Sequence, residues 1–140
     1  MAKIFGNILV PYDNSLHSKK ALNQALGMAE LTGANLTLAH VIPYDDNADK
    51  IIQPHEDSML RHELEFLNPI EQEALKRNIA LTEKILYGNT SKELLDFMDE
   101  KNFDVVIMGR RGITKTKNTS LGSVSNALVQ NAKIPVLVTA

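Results

Sequence analysis

The sequence predicts an α/β fold in which helices cover both faces of a five-stranded parallel sheet. Five short apolar runs rich in branched residues alternate with stretches in which apolar residues recur every three and four positions. This alternation is typical of consecutive strand, helix and strand units, whose connections place helices on both faces of the sheet. A length of 140 residues fits one compact domain, so we expect a single domain over residues 1–140.

The five expected strands are the runs of branched apolar residues. In chain order they cover residues 7–10, 36–41, 79–86, 105–108 and 135–138. The third run contains charged residues and is expected at an edge of the sheet, where solvent reaches it. The fifth run is apolar but opens with Pro135, which has no N–H group to donate and therefore also favours an edge. The other three runs are expected to be central.

Local signals predict where several helices begin and end. The first helix is expected to end at Gly33, which suits a left-handed cap. Asn68 is expected to cap a helix whose first residue is Pro69. Thr90 is expected to cap the next helix, because Glu93 stands three residues later and completes a capping box.

Composition and charge exclude several classes of function. The chain contains no cysteine, which excludes disulfides, thiolate metal sites and cysteine nucleophiles. No run approaches the roughly 18 apolar residues of a membrane span, and the first residues lack the apolar region of a signal peptide. A net charge of −2 argues against non-specific binding to duplex DNA. We therefore expect a cytoplasmic protein whose partners include neither a membrane nor a nucleic acid.

The four histidines carry only a weak metal signal. His55 and His62 are two helical turns apart, which leaves a metal site between them as the weaker alternative. Because no ligand spacing of three or four residues recurs, we interpret His55 and His62 as exposed helix residues and expect no metal site. No Ser-His-Asp arrangement can be read from the spacing, so no catalytic residue is predicted.

The most informative feature is a glycine-rich, basic segment. The fourth run is followed by Gly-Arg-Arg-Gly at 109–112, then nine residues, then Gly-Ser-Val-Ser at 122–125, which opens the last helix. Glycines permit positive φ and close backbone approach, and a helix N-terminus offers unpaired N–H groups to a phosphate. Residues 109–123 contain no acid and four bases: Arg110, Arg111, Lys115 and Lys117. The segment is either a phosphate-binding loop or a flexible loop with a solvated basic surface, and both alternatives stay open.

Two familiar nucleotide motifs are absent, and an acid stands in the place of one of them. No lysine precedes the hydroxyl of Ser123, as a Walker A loop requires, and no glycine follows the first strand, as a dinucleotide fingerprint requires. Instead, Asp13 stands at the carboxyl end of the first strand. In a doubly wound sheet the first and fourth strands flank the point where strand order reverses and ligands bind. Asp13 and the glycine-rich segment are therefore expected to face each other.

Over nearly its whole length the chain resembles the universal stress protein family, in its nucleotide-binding branch. Residues 8–15 resemble the family's opening strand and loop, and residues 38–41 its second strand. The family's signature is Gly, two residues, Gly, nine residues, Gly, then Ser or Thr, which this chain matches with Gly109, Gly112, Gly122 and Ser123. Two residues depart from the pattern: Asn14 replaces a glycine, and Arg110 stands where a small hydroxyl residue is common.

This resemblance implies a Rossmann-like three-layer sandwich of the adenine nucleotide alpha hydrolase type, with a sheet of order 3-2-1-4-5. It also implies binding of ATP, with Mg²⁺ as the expected companion. Asp13 would lie near the ribose and adenine, with the backbone of Val41 at the adenine edge. The other implied nucleotide-binding residues are Pro11, Gly109, Arg110, Gly112, Gly122, Ser123, Val124 and Ser125.

We expect a nucleotide-responsive regulator of the stress response rather than an enzyme. The sequence shows no evident base for activating water and no carboxylate pair for magnesium. It also lacks the Ser-Gly-Gly-rich loop of ATP pyrophosphatases and the His-x-Gly-His loop of nucleotidyltransferases. The alternatives are a slow ATPase, and a homologue that has lost nucleotide binding and acts on a still unidentified protein partner.

The fifth strand predicts a homodimer. An apolar edge strand exposes backbone groups and apolar side chains together, and a two-fold axis beside it lets each copy cover the other. Only Thr139 and Ala140 follow this strand, so the chain offers little else to cover the edge. The resemblance points the same way.

Overall fold

The computed structural model describes residues 5–43, 64–111 and 121–140. Strands and helices alternate along these parts of the chain. The elements are β1 (Asn7–Pro11), α1 (Leu16–Thr32), β2 (Asn35–Pro43), α2 (Leu67–Lys76), β3 (Leu81–Gly88), α3 (Thr90–Glu100), β4 (Val105–Gly109), α4 (Ser123–Asn131) and β5 (Val136–Thr139).

The strands form one parallel sheet of order β3-β2-β1-β4-β5, as predicted. In the register of β1, Ile8 lies opposite Leu36 of β2 and Val105 of β4. The chain moves outward in one direction from β1 to β3 and in the other from β4 to β5. Strand order therefore reverses between β1 and β4, the position at which open α/β sheets bind ligands.

Two apolar layers hold the sheet between its helices. On one face, Ile8 and Val10 of β1 and Ile107 of β4 pack beneath α1 and α2. On the other face, Leu9 and Val106 pack beneath α3 and α4. Residues that alternate along a strand point to opposite faces, so the central strands must be apolar on both sides. This requirement explains the continuous apolar runs in the sequence.

The end of α1 follows the prediction, but the start of α3 does not. Gly33 adopts φ 75° and donates its N–H to the Ala29 carbonyl, which ends α1. The residue that caps α3 is Asn89, not Thr90, since the Asn89 side chain accepts the N–H of Lys92 at 3.0 Å. Asparagine is a strong capping residue, and its extended backbone precedes the first helical residue.

The predicted cap of α2 is also wrong. The helix already includes Leu67, and the Phe66 backbone before it is helical, with no side-chain capping bond. A turn in which Leu67 donates its N–H to the Leu64 carbonyl at 3.0 Å brings the chain into the helix. Asn68 is therefore inside α2. His55 and His62 lie outside the described residues.

Both predicted edge strands are confirmed. β3 and β5 lie at the two edges of the sheet. Val136 and Val138 of β5 pack against the apolar layer beneath α3 and α4, whereas Leu137 points to the opposite face and is 39% exposed. Among the described helices, none is both long and apolar enough to cross a membrane.

Candidate functional site

The candidate site lies where the loops that leave β1 and β4 stand side by side. These strands are direct neighbours and parallel, so their carboxyl ends share one edge of the sheet. Asp13 follows the end of β1, and Arg110 and Arg111 follow the end of β4. The structure thus places Asp13 and the first described residues of the basic segment at the same edge of the sheet. Gly112, Lys115 and Lys117 lie outside the described residues.

The backbone around Asp13 forms a tight turn into α1. Tyr12 extends the sheet by one bond, donating its N–H to the Ala39 carbonyl at 2.8 Å. Asn14 then adopts the left-handed region with φ 64°, which asparagine tolerates better than most residues. The Asp13 carboxylate accepts the N–H of Ser15 at 3.0 Å. This contact holds the carboxylate at the entrance to α1.

Asp13 has a direct electrostatic neighbour in Tyr12. Burial raises the pKa of the Tyr12 phenol above its ordinary value, and the negative charge of Asp13 raises it further. The phenol remains protonated at neutral pH and donates to the side-chain oxygen of Asn14 at 3.2 Å. The turn is therefore supported on both sides of Asp13.

Pro11 and Val41 extend the site along the sheet. Pro11 is the buried last residue of β1 and lies opposite Ala39 of β2. Val41 lies two residues farther along β2, with its side chain buried in the layer beneath α3 and α4. Val41 is thus two residues before Pro43, the last residue of β2.

Gly109 is required by a close contact between backbones. A Cβ atom at this position would lie 2.6 Å from the carbonyl carbon of His17 and 2.7 Å from its carbonyl oxygen. The close backbone approach expected at Gly109 is thus present, and the backbone that approaches it belongs to the first turn of α1. Among the described glycines only Gly33 and Gly88 have positive φ, so Gly109 does not use that freedom.

The two ends of the glycine-rich segment are tied together through one carbonyl. The Arg110 carbonyl accepts the N–H of Gly122 at 2.8 Å and the hydroxyl of Ser125 at 2.6 Å. Gly122 has φ −70°, which any residue adopts, but a Cβ atom there would lie 3.2 Å from the Arg111 Cα. Space, not backbone freedom, therefore favours glycine at this position.

The amino terminus of α4 lacks a side-chain cap. Gly122 occupies the capping position and has no side chain to accept the first N–H groups of the helix. Ser15 and Asn89, by contrast, cap α1 and α3 with their side chains. Helical N–H groups without a capping side chain, together with the helix dipole, attract an anion.

The side chains of the first turn of α4 differ in their accessibility. Ser123 is exposed and Val124 is half-buried. Ser125 is 2% exposed, and its hydroxyl hydrogen is directed to the Arg110 carbonyl. Ser125 is one of the implied nucleotide-binding residues, and its hydroxyl is engaged inside the protein.

Arg110 and His17 each place a buried nitrogen near this edge. Arg110 Nε and His17 Nδ1 find no hydrogen-bond partner within the parts of the chain that the structure describes. Sequence reasoning did not select His17 as a functional residue. Its one sequence signal is its position in the first turn after the Asp13 loop.

The geometry of this edge agrees with the comparison to known families. Residues 5–140 match the model of the universal stress protein family. The chain belongs to the universal stress protein family. A universal stress protein of Thermus aquaticus is 31% identical over 140 residues, covering 96% of this chain and 98% of its own.

Solved universal stress protein structures share this fold. The protein named UspA from Lactobacillus plantarum has a TM-score of 0.81 at 23% identity, covering 97% of this chain and 98% of its own. A universal stress protein solved in complex with cAMP has a TM-score of 0.72 at 20% identity, with 98% of each chain covered. One from Archaeoglobus fulgidus in complex with dAMP has a TM-score of 0.64 at 20% identity, covering 96% and 98%.

Proposed function

We propose that this universal stress protein binds ATP with Mg²⁺ at the carboxyl edge between β1 and β4, and that the bound nucleotide regulates its action on a protein partner. The observation that carries the proposal is the uncapped amino terminus of α4, positioned beside the β4 exit by the bonds to the Arg110 carbonyl. Solved relatives described as complexes with cAMP and dAMP support the nucleotide class.

The phosphates would occupy the α4 end of the site. Helical N–H groups and the positive end of the dipole supply donors there, and the basic side chains of Arg110 and Arg111 lie on the adjoining β4 exit. The buried Arg110 Nε, which finds no acceptor among the described residues, is a further donor suited to an anion. Gly122 keeps this approach open because it carries no side chain.

The nucleoside would lie toward β1 and β2. A carboxylate is a strong acceptor for ribose hydroxyls, and the bond from Ser15 holds that of Asp13 in place. The backbone of Val41, at the carboxyl end of the neighbouring strand, supplies amide and carbonyl groups for the edge of a base. Backbone recognition of this kind favours adenine over guanine, whose edge presents different groups.

Magnesium fits this donor set as a companion of the phosphates. Mg²⁺ is usually held by one or two carboxylates together with phosphate oxygens and water. Residues 109–123 contain no acid, and Asp13 leaves β1, the strand next to β4. The ion would neutralise phosphate charge, and Asp13 is the residue suited to hold it directly or through water.

The first experiment identifies the ligand and its base. Mass spectrometry of small molecules released from denatured protein is expected to detect an adenine nucleotide. Titration calorimetry is expected to give tighter binding of ATP with Mg²⁺ than of GTP. Undetectable binding of ATP, or equal affinity for both nucleotides, contradicts the proposal.

Two substitutions of equal size test the phosphate position. Gly122→Asp and Gly122→Asn place similar side chains at the helix cap, and both can accept the N–H groups of α4. Only the aspartate adds negative charge beside the phosphates. We expect Gly122→Asp to bind ATP at least tenfold more weakly than Gly122→Asn, a difference of about 1.4 kcal/mol. Equal, wild-type affinity in both variants, with folding confirmed by circular dichroism, shows that phosphate does not bind there.

Hydrolysis measurements separate the regulator from the alternative of a slow ATPase. We expect turnover far below the roughly 1–10³ per second that is typical of enzymes. Asp13 accepts the Ser15 N–H and is assigned to the ribose or magnesium rather than to an attacking water. Robust turnover that Asp13→Asn abolishes while ATP binding persists identifies the protein as an ATPase.

A further inference from the structure

A buried histidine reaches the backbone immediately before Asp13. His40 lies near the carboxyl end of β2 and is 8% exposed, which is unusual for a polar side chain in an apolar layer. Its Nδ1 lies 2.8 Å from the carbonyl oxygen of Tyr12. A carbonyl only accepts hydrogen bonds, so Nδ1 must carry the proton that it donates.

Neighbouring residues of β2 thereby hold both backbone polar groups of Tyr12. The Tyr12 N–H donates to the Ala39 carbonyl at 2.8 Å, and the Tyr12 carbonyl accepts from His40 at 2.8 Å. The first bond continues the backbone ladder between β1 and β2. The second is supplied by a side chain, at the point where β1 has ended and the chain turns through Asn14 at φ 64°.

Aromatic packing sets the direction of the imidazole ring. Phe66, which precedes α2, meets the ring of His40 at 5.3 Å between centroids and 73° between planes, an edge-to-face contact. Phe66 also contacts Tyr12 at 5.4 Å between centroids. One phenylalanine therefore packs against both partners of the hydrogen bond, which restricts their movement relative to each other.

We infer that His40 is a positioning residue for Asp13. By holding the Tyr12 carbonyl, His40 fixes the peptide plane that joins Tyr12 to Asp13, and so the direction in which the carboxylate leaves the backbone. The inference rests on the proposed function, in which Asp13 contacts the nucleotide. A side chain of equal volume without a donor would fill the space but release this peptide.

Three substitutions at His40 separate the hydrogen bond from packing. His40→Leu removes the donor, and we expect ATP affinity to fall at least tenfold. The amide nitrogen of His40→Asn occupies nearly the position of Nδ1, so this variant is expected to bind within about threefold of wild type. The side chain of His40→Gln is polar, but its amide extends past the position of Nδ1, so this variant is expected to behave like His40→Leu. If His40→Leu does not fold, His40→Gln is used in its place. Equal affinities of folded His40→Leu, His40→Gln and wild type overturn the inference.

A double-mutant cycle tests whether His40 acts through Asp13. Once Asp13→Asn has removed the carboxylate, adding His40→Leu (or His40→Gln) is expected to weaken ATP binding by less than threefold further. Full additivity of the two losses overturns the inference, because general loosening of the fold would reduce affinity in either background.

A spectroscopic measurement works without nucleotide. In the ligand-free protein we expect His40→Leu or His40→Gln to shift the Asp13 amide resonance in a ¹H–¹⁵N spectrum, and His40→Asn to restore it toward wild type. If wild-type protein fails to bind ATP, the proposed function is wrong, and this resonance alone decides whether His40 positions Asp13. An Asp13 resonance that is unchanged in all variants overturns the inference.

Discussion

Gly109 and His17 are in backbone contact, because a Cβ atom at Gly109 would lie 2.6 Å from the His17 carbonyl carbon. This contact joins the end of β4 to the first turn of α1, and therefore the loop after β4 to the Asp13 turn. Gly109 belongs to the glycine signature, but its structural role does not depend on a nucleotide. It allows the end of β4 and the first turn of α1 to approach each other.

Gly109→Ala is expected to destabilise the protein even without ligand. Because the obstructing atoms belong to the backbone of α1, the helix or the strand must move, at a cost of about 1–3 kcal/mol in unfolding free energy. Gly27→Ala is the matched control, since apart from its own helical backbone no atom of the described residues lies within 4 Å of the added methyl group. In the middle of α1 that change is expected to stabilise by roughly 0.5–1 kcal/mol. Urea denaturation measures both, and equal stability of Gly109→Ala and wild type contradicts the assigned contact.

Ser125→Ala is expected to weaken the closure of the glycine-rich segment. The variant removes the 2.6 Å hydrogen bond from Ser125 to the Arg110 carbonyl, while the hydrogen bond from the Gly122 N–H to that carbonyl remains. The loss should lower the unfolding free energy by about 1 kcal/mol. Ser123→Ala alters the same helical turn at an exposed position and is expected to change stability by less than about 0.5 kcal/mol. Thermal denaturation of the two variants compares them, and a larger loss for Ser123→Ala would refute the assignment.

Glu83 is expected to make stability depend on pH near neutrality. Burial raises its pKa from an ordinary 4.5 to about 7, and a hydrogen bond with Glu71 and the charge of Glu71 contribute in the same direction. The folded state therefore binds the proton more tightly than the unfolded state. The resulting stabilisation is complete below pH 4.5 and is lost as pH rises through about 7.

Glu83→Gln tests this dependence. The variant cannot lose a proton at this position, so it should be more stable than wild type at about pH 8 and show a smaller fall in stability from about pH 5 to pH 8. Glu71→Gln removes the neighbouring charge and should partly reduce this loss of stability between about pH 5 and pH 8. Parallel stability profiles of wild type and Glu83→Gln would show that Glu83 titrates normally.

Leu137→Lys is expected to disrupt a homodimer formed through β5. The leucine is 39% exposed on an edge strand, where a partner copy would cover it. Val136→Lys is unsuitable as a control because Val136 packs against the apolar layer beneath α3 and α4. Leu31→Lys makes the same chemical change on α1 at a residue that is 88% exposed.

Light scattering at micromolar concentration measures the oligomeric state of these proteins. We expect wild type and Leu31→Lys to be dimers and Leu137→Lys to be a monomer. A monomeric wild type, or a dimeric and folded Leu137→Lys, shows that β5 is not the interface.

The sequence pattern determined the strands of the sheet and its two edges, and the resemblance to the universal stress protein family supplied their order. The apolar runs and the helical spacing between them reflect burial on one or two faces, which is a local pattern and survives without tertiary information. Gly33 was predicted correctly for a similar reason, since a left-handed cap depends on a few neighbouring residues. The positions of Asp13 and the glycine-rich segment at one edge followed from strand order.

Only the tertiary structure decided which groups serve the fold and which face a ligand. The Ser125 hydroxyl turns inward because the Arg110 carbonyl, fifteen residues earlier, comes within 2.6 Å. His40 reaches the Tyr12 carbonyl across 28 residues of sequence. The spacing of apolar residues in the sequence does not predict such contacts, because each contact depends on how separate elements pack. The sequence therefore indicated where the site lies, and packing determined which of its donors are already engaged.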